Sequence, residues 1–475
     1  MTAESNKLVF NSVDFLVKAP KFRISFSYTD DKGLSFVREF ILRLLKIAPC
    51  KPKQIADFFD FNKEEILVAL DDLISSKYID YLPSGEVLLT QQGELLFANE
   101  FGEPRLNTLH EKSIECCMEL IGENFLSNNE IVHNNMFSIE MPVAQEALAN
   151  CKTIAKRNFQ NRFFELKDEL FFDVIKGNSE NKHSSPELYK INDINQLGMK
   201  YYRIRQDFSL NIDTGLQLDR SDVSAKYNEE LTLGITNSLT HHKRSQNLKE
   251  ILKSMEELHD LKTVTILKPE FKFSHIEDLN DREDNLYFVG QIYNQDFIER
   301  EVRLFAKKLS TSSDPATSKL LWIGVDDLYW AKQQKIGDLI ECLIANSSIK
   351  KNGEKIKTYD LRLYLPLEHS KDKHSYNTWQ RQFSRSAILD NIYYFKSGLL
   401  NNNTEILLLE NEFVVICYHT IVKELDATLP IGFFSKNQTT VRAIFDLVQS
   451  YLGQKTHDDR EKSPTYDFGR IQLRS

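Results

Sequence analysis

From Leu34 the apolar residues Val37, Phe40, Ile41, Leu44 and Leu45 recur in three- and four-residue steps, which predicts a helix with one buried stripe. Pro49 and Pro52 end it and preset the start of a second, short helix carrying Ile55, Phe58 and Phe59. Asn62 stands where it caps a third helix, and Glu65, three residues on, returns the capping hydrogen bond. That helix is expected to bury Ile66, Leu70, Leu73 and Ile74. Tyr78 to Leu82 and Glu86 to Thr90 read as two short strands around a ProSerGly turn at 83 to 85.

Beyond this the pattern changes. Residues 108 to 175 read as mainly helical, with GluCysCysMetGluLeuIle at 115 to 121 and a basic-aromatic helix from Lys152 to Phe172. The polar stretch at 177 to 186 reads as a linker. Leu188 to Ile194, Lys200 to Ile204 and Phe208 to Ile212 alternate like strands, with a turn at Leu197 and Gly198, and predict a small antiparallel sheet. The last third alternates strands with helices. Strands are expected at Leu286 to Ile292, Leu320 to Val325, Leu361 to Leu365, Ile406 to Leu409 and Phe413 to Cys417, and helices at Ile298 to Leu309, Ile336 to Ala345 and Thr440 to Leu452. This is the signature of an α/β domain with a largely buried sheet. The polar tail from Gln454 to Ser475 is expected to be mobile.

Helix, helix, helix, hairpin is the order of a winged helix-turn-helix. The run ValLeuLeuThrGlnGlnGly at 87 to 93, continued by Glu94 to Phe97, closely resembles the second wing strand and final-helix start of bacterial and archaeal winged-helix regulators. With 475 residues, about three domains are expected. The fold class is therefore multi-domain α+β and α/β. A winged helix-turn-helix domain spans 1–104, a helical region followed by a small antiparallel sheet spans 105–260, an α/β domain spans 261–453, and a tail spans 454–475.

Composition narrows the function classes. An apolar fraction of 41% with 31 Phe and 18 Tyr is globular usage. A net charge of -9 argues against coating nucleic acid through bulk electrostatics, so any such contact must be local. Cys50, Cys116, Cys117, Cys151, Cys342 and Cys417 form no CxxC pair and no regular spacing with the 11 histidines, which predicts reduced thiols in a cytoplasm and neither disulfides nor a structural metal. No apolar run is long enough for a bilayer and the first residues carry no secretion signal, so no membrane role is expected.

Four clusters carry candidate chemistry. GluIleLeuLeuLeuGluAsnGluPheValValIleCysTyr at 405 to 418, followed by LeuProIleGlyPhePheSerLysAsn at 429 to 437, resembles the C-terminal half of a phospholipase D-like domain. That family begins this hairpin with HxKxxxxD, and the resemblance puts Asn403, Glu405 and Glu410 where His, Lys and Asp would stand. Asn is no nucleophile and Glu405 would repel phosphate, so the resemblance implies a pseudo-nuclease without catalytic residues. In the run at 369 to 385, Lys371, Lys373, Arg381 and Arg385 interleave with Tyr376, Trp379 and Phe383, as a groove for nucleic acid requires; a solvated loop is the plainer reading. Asp326 and Asp327 follow a strand, where they serve either Mg²⁺ or a helix cap. His241, His242, Lys243 and Arg244 read as a basic helix start. No Walker loop, GxGxxG, HExxH or GxSxG is present.

The expected recognition helix, residues 63 to 77, presents Glu64, Asp71 and Asp72, the wrong sign for a duplex, with Lys51, Lys53, Lys63 and Lys77 left to meet phosphates at its edges. Winged helices also dock proteins. The leading expectation is a cytoplasmic, non-enzymatic DNA-associated protein without cofactor, either a transcriptional regulator or an accessory subunit of a microbial defence system. Its expected partners are DNA, a protein and further copies of itself in a homo-oligomer. Archaeal sugar-responsive regulators join two similar parts but lack a region like 105 to 260. The alternatives are a metal-dependent nuclease or phosphodiesterase using Asp326, Asp327 and His369, and a protein-docking scaffold.

Overall fold

The computed structural model describes residues 6–33, 36–97, 104–133, 136–169, 187–218, 228–240, 246–280, 285–311, 318–351, 353–422, 425, 427–456 and 464–471. The stretch at 177 to 186 and the cluster His241, His242, Lys243 and Arg244 lie outside these residues. The chain is a mixed α and β protein of two compact units, one made of residues 1–18, 130–143 and 200–475, the other of residues 19–129 and 144–199. These boundaries differ from the contiguous domains expected at 1–104, 105–260 and 261–453. The reason is long-range strand pairing: the strands Lys7–Gly33 and Glu187–Asn211 each contribute residues to both units.

In the second unit, helices Phe36–Ile47, Pro52–Phe59 and Lys63–Ser75 precede the antiparallel strands Ile79–Tyr81 and Val87–Leu89. Ile41, Ile55, Ile66, Leu70, Leu73 and Val87 share one core, with Val37 packed against it. Asn62 Oδ1 accepts from the N–H groups of Glu64 and Glu65 at 2.9 Å each, and Glu65 Oε2 accepts from the Asn62 N–H at 2.9 Å. Gly93 sits where a Cβ would meet the Tyr78 carbonyl oxygen at 2.1 Å, so only glycine lets the turn close there.

The region from 105 is not mainly helical, as its sequence suggested. Arg105–Met118 is a strand antiparallel to Lys21–Gly33, with Ile24 opposite Ile114. Glu115 bridges Lys21 and Arg23 across the pair at 2.5 and 2.7 Å. A distant partner thus decides the conformation. Helices Cys151–Asn161 and Phe163–Glu169 follow, and Phe159 and Phe163 pack against Phe26 with ring centroids 5.2 and 5.7 Å away. The three expected strands between 188 and 212 are instead one, Glu187–Asn211, which runs through Leu197 and Gly198 without a turn.

The first unit holds an eight-stranded sheet in the order Asp467–Gly469, Ile392–Lys396, Tyr359–Leu367, Ser318–Ile323, Thr404–Leu409, Phe413–Thr420, Leu429–Ser435, Asn285–Val289. Tyr359–Leu367 is parallel to both its neighbours, and the other pairs are antiparallel. Ser318–Ile323 is therefore where a parallel half meets an antiparallel half. Helices Asp296–Thr311, Lys335–Ala345 and Lys373–Phe383 bury apolar residues on one face, and Gln438–Leu452 covers the other. The tail expected to be mobile supplies an edge strand, because Phe468 is buried and Tyr394 and Phe395 pair with it. Among the described residues no helix is long and apolar enough to cross a membrane, and the six cysteines form no disulfide.

Candidate functional site

Strands Thr404–Leu409 and Phe413–Thr420 are buried along their whole length and apolar apart from Thr404, Glu405, His419 and Thr420, because each lies between two neighbours and under helices on both faces. Side chains alternate along such strands, so Glu405, Cys417 and His419 fall on the face that also receives Trp322. Glu405 is 0% exposed and His419 1%. The Trp322 indole N–H donates to Glu405 Oε1 at 2.8 Å, and His419 Nε2 lies 3.1 Å from Glu405 Oε2. On the other side of the ring, Nδ1 is 3.7 Å from Asp327 Oδ2. Asp327 is itself held by the Thr428 hydroxyl at 2.8 Å and the Tyr329 N–H at 3.0 Å.

Burial alone would lower the His419 pKa, but contacts with Asp327, Cys417 and Glu405 outweigh it and hold the imidazole well above its ordinary value. Burial, and then the charges of Glu405 and Asp327, push the nearby Tyr293 phenol up. Burial likewise raises the Cys417 thiol. The sequence reading missed Cys417, His419 and Trp322. The one signal was a histidine continuing the apolar run from Phe413 to Tyr418.

Beside this cluster, at the C-terminal ends of Ser318–Ile323 and Tyr359–Leu367, is a cleft of about 270 Å³ lined by Asp326, Asp327, Lys332, His374, Ser375 and Trp379, among others. Switch points of this kind are where α/β sheets hold ligands. Burial lowers the Lys332 pKa to about 8, and its ammonium donates to Gln382 Oε1. Asp326 is exposed, but Asp327 turns inward to Thr428 and Tyr329, so the two do not form a shared carboxylate pair. His369 is not among the residues lining the cleft; its Nδ1 accepts from the Lys371 N–H at 3.3 Å.

The basic-aromatic run is a helix, Lys373–Phe383, whose first turn Asp372 caps through the Ser375 N–H at 3.1 Å. Lys371, Lys373, Arg381 and Arg385 are exposed. Trp379 corrects the expectation of a stacking ring: it is buried, donates to the Pro366 carbonyl at 3.1 Å and meets Trp330 edge-on with centroids 5.8 Å apart. Tyr376, Trp379 and Phe383 are spaced by three and four, and that spacing makes them the inward stripe of an amphipathic helix.

Asn403, Glu405 and Glu410 share a hairpin but not a site. Asn403 accepts from Asn247 at 3.1 Å and donates to the Asn401 carbonyl at 2.8 Å, while Glu410 accepts from the Lys319 N–H at 3.0 Å at the far end of the strand.

In the other unit, helix Lys63–Ser75 turns Ile66, Leu70 and Leu73 inward and leaves Glu64, Leu67, Val68 and Asp71 on one outer face. Leu67 is 50% exposed and Val68 67%. Asp72 on the same side pairs with Arg38. Lys51, Lys53, Lys63 and Lys77 are all exposed around the three-helix and hairpin fold. The chain matches no known family, no curated protein and no solved structure with which it was compared.

Proposed function

We propose that this chain is a non-enzymatic accessory protein that joins a winged helix to a degenerate phospholipase D-like domain and works by docking a protein partner. The partner is bound by the outer face of helix Lys63–Ser75, and the segment that fits there is a basic amphipathic helix. The observation that carries this reading is the exposure of Leu67 and Val68 between Glu64 and Asp71. The helix as a whole carries four carboxylates against one lysine. Such a face repels phosphate but complements cationic side chains, and two adjacent apolar residues give an apolar helix face something to cover.

The order of three helices and a hairpin, with a single core, supports the winged-helix reading. The buried carboxylate at 405, engaged by Trp322 and His419, supports a domain without phosphodiester chemistry. A second reading, binding of DNA, is favoured by the exposed Lys51, Lys53, Lys63 and Lys77. It requires phosphates to approach the edges of a helix whose centre is acidic.

Fluorescence anisotropy with the full chain separates the two. A helical peptide of alternating lysine and leucine faces is expected to bind, to lose affinity at least tenfold with Leu67→Ser/Val68→Ser, and to be replaced by no binding when its lysines become glutamates. Duplex DNA binding at low salt, unaffected by that double substitution and with no peptide binding, overturns the proposal.

A further inference from the structure

We propose that Glu405, Cys417 and His419 form a closed binding site for one zinc-class divalent transition-metal ion, independent of any docking surface. One donor atom from each lies within 4.8 Å of the other two, and all three side chains are sealed inside the sheet. A tetrahedral ion bonded at roughly 2.0 to 2.3 Å sets its donors roughly 3.3 to 3.6 Å apart. The 3.1 Å between His419 Nε2 and Glu405 Oε2 is close to that edge length. Sulfur, imidazole nitrogen and one carboxylate oxygen make a donor set for zinc or cobalt, whereas magnesium and calcium take oxygen ligands.

A second observation points the same way. Metal-bound histidines present the other ring nitrogen to a carboxylate, which fixes the tautomer and the ring plane. His419 is placed for this: its buried Nδ1, which makes no hydrogen bond within 3.5 Å, faces Asp327 Oδ2 at 3.7 Å, and Thr428 and Tyr329 hold that carboxylate in place, so a small shift on metal binding would bring the two into hydrogen-bond range. The second oxygen of Glu405 is likewise fixed, by the Trp322 indole at 2.8 Å. Of the three donors, Glu405 has a partner that fixes its second oxygen, and His419 has a carboxylate beside its free ring nitrogen. Because the site is closed, the ion enters during folding, and binding adds to the stability of the sheet.

The test is refolding of the full chain from denaturant with Co²⁺ or with a chelator. The expected product carries one Co²⁺ per chain and absorbs by thiolate-to-cobalt charge transfer. Cys417→Ser removes that absorption and weakens binding at least tenfold. Asp327→Asn keeps the absorption and weakens binding roughly ten- to hundredfold. Cys342→Ser, which changes a thiol outside this cluster, leaves both unchanged. X-ray absorption of the zinc-loaded wild type needs no variant and is expected to give one sulfur among nitrogen or oxygen donors. No metal uptake, a first shell without sulfur or with several sulfurs, or the same charge-transfer band in Cys417→Ser overturns the proposal.

Discussion

Glu405 and His419 face each other at 3.1 Å across two neighbouring strands, and neither is reached by solvent. Leucine at 405 would have completed an apolar run, so the carboxylate is tolerated only because Trp322 and His419 satisfy its two oxygens. Trp322→Phe removes one donor and leaves Oε1 without its indole partner. It is expected to destabilise this unit by about 1 to 3 kcal/mol. Since the three tryptophans, Trp322, Trp330 and Trp379, all belong to this unit, tryptophan fluorescence during urea unfolding reads the effect directly.

Asp14 is sealed from solvent and receives Arg203 at 2.8 Å, Arg205 at 3.2 Å and the Gln334 N–H at 2.9 Å. Asp14→Ala leaves the largely buried Arg203 guanidinium without its counter-charge. The expected loss is about 3 to 5 kcal/mol, far above that of an exposed pair such as Arg303 with Glu299, for which about 0 to 1 kcal/mol is expected. Urea midpoints of Asp14→Ala and Glu299→Ala check the contrast, and equal losses would contradict it.

Lys332 gives a dependence on pH. Its folded pKa, about 8, lies below the ordinary value of 10.5, so the unfolded chain binds the proton more tightly. The penalty for burying the ammonium is complete below pH 8 and is relieved as pH rises from 8 to 10.5. The gain over that window is about 3 kcal/mol. Lys332→Met should unfold with the same urea midpoint at pH 7 and pH 10 apart from what other groups contribute, so the difference between wild type and variant must shrink with pH. A constant difference would contradict this account.

Legibility in the sequence followed the range of the interactions. The three helices and hairpin at 36 to 89 were readable because every cue is local: the stripe Ile66, Leu70 and Leu73, the reciprocal cap of Asn62 and Glu65, and the turn at Gly85. Five of the eight strands of the large sheet were readable because they are mostly apolar runs, whereas Ile392–Lys396 and Leu429–Ser435, also in the sheet, were not expected as strands. Arg105–Met118 was not, because its conformation is set by a partner about eighty residues away, and the edge strand at Phe468 was hidden in a polar tail for the same reason. Part of the candidate site was visible as Glu405 and Asp327, but their meeting at His419 depends on strand register and a loop, which no local pattern encodes.

Trp379 bears on any nucleic-acid role for the run at 369 to 385. Because its ring packs on Trp330 and its N–H bonds Pro366, Trp379→Ala is expected to destabilise the unit by about 3 to 5 kcal/mol. Stability measured by urea unfolding should fall by this amount, and any single-stranded DNA affinity at low salt should be no lower than that of Lys371→Ala. A stable Trp379→Ala that has lost single-strand binding would place the ring on the surface and contradict the fold described above.

The docking role of helix Lys63–Ser75 is tested most directly by amide hydrogen exchange on the full chain, with and without a saturating basic amphipathic peptide. The account predicts slower exchange concentrated in residues 63 to 75, absent in Leu67→Ser/Val68→Ser and absent when duplex DNA replaces the peptide. Protection of the same residues by DNA but not by the peptide, or no change at 63 to 75 with either, would contradict it.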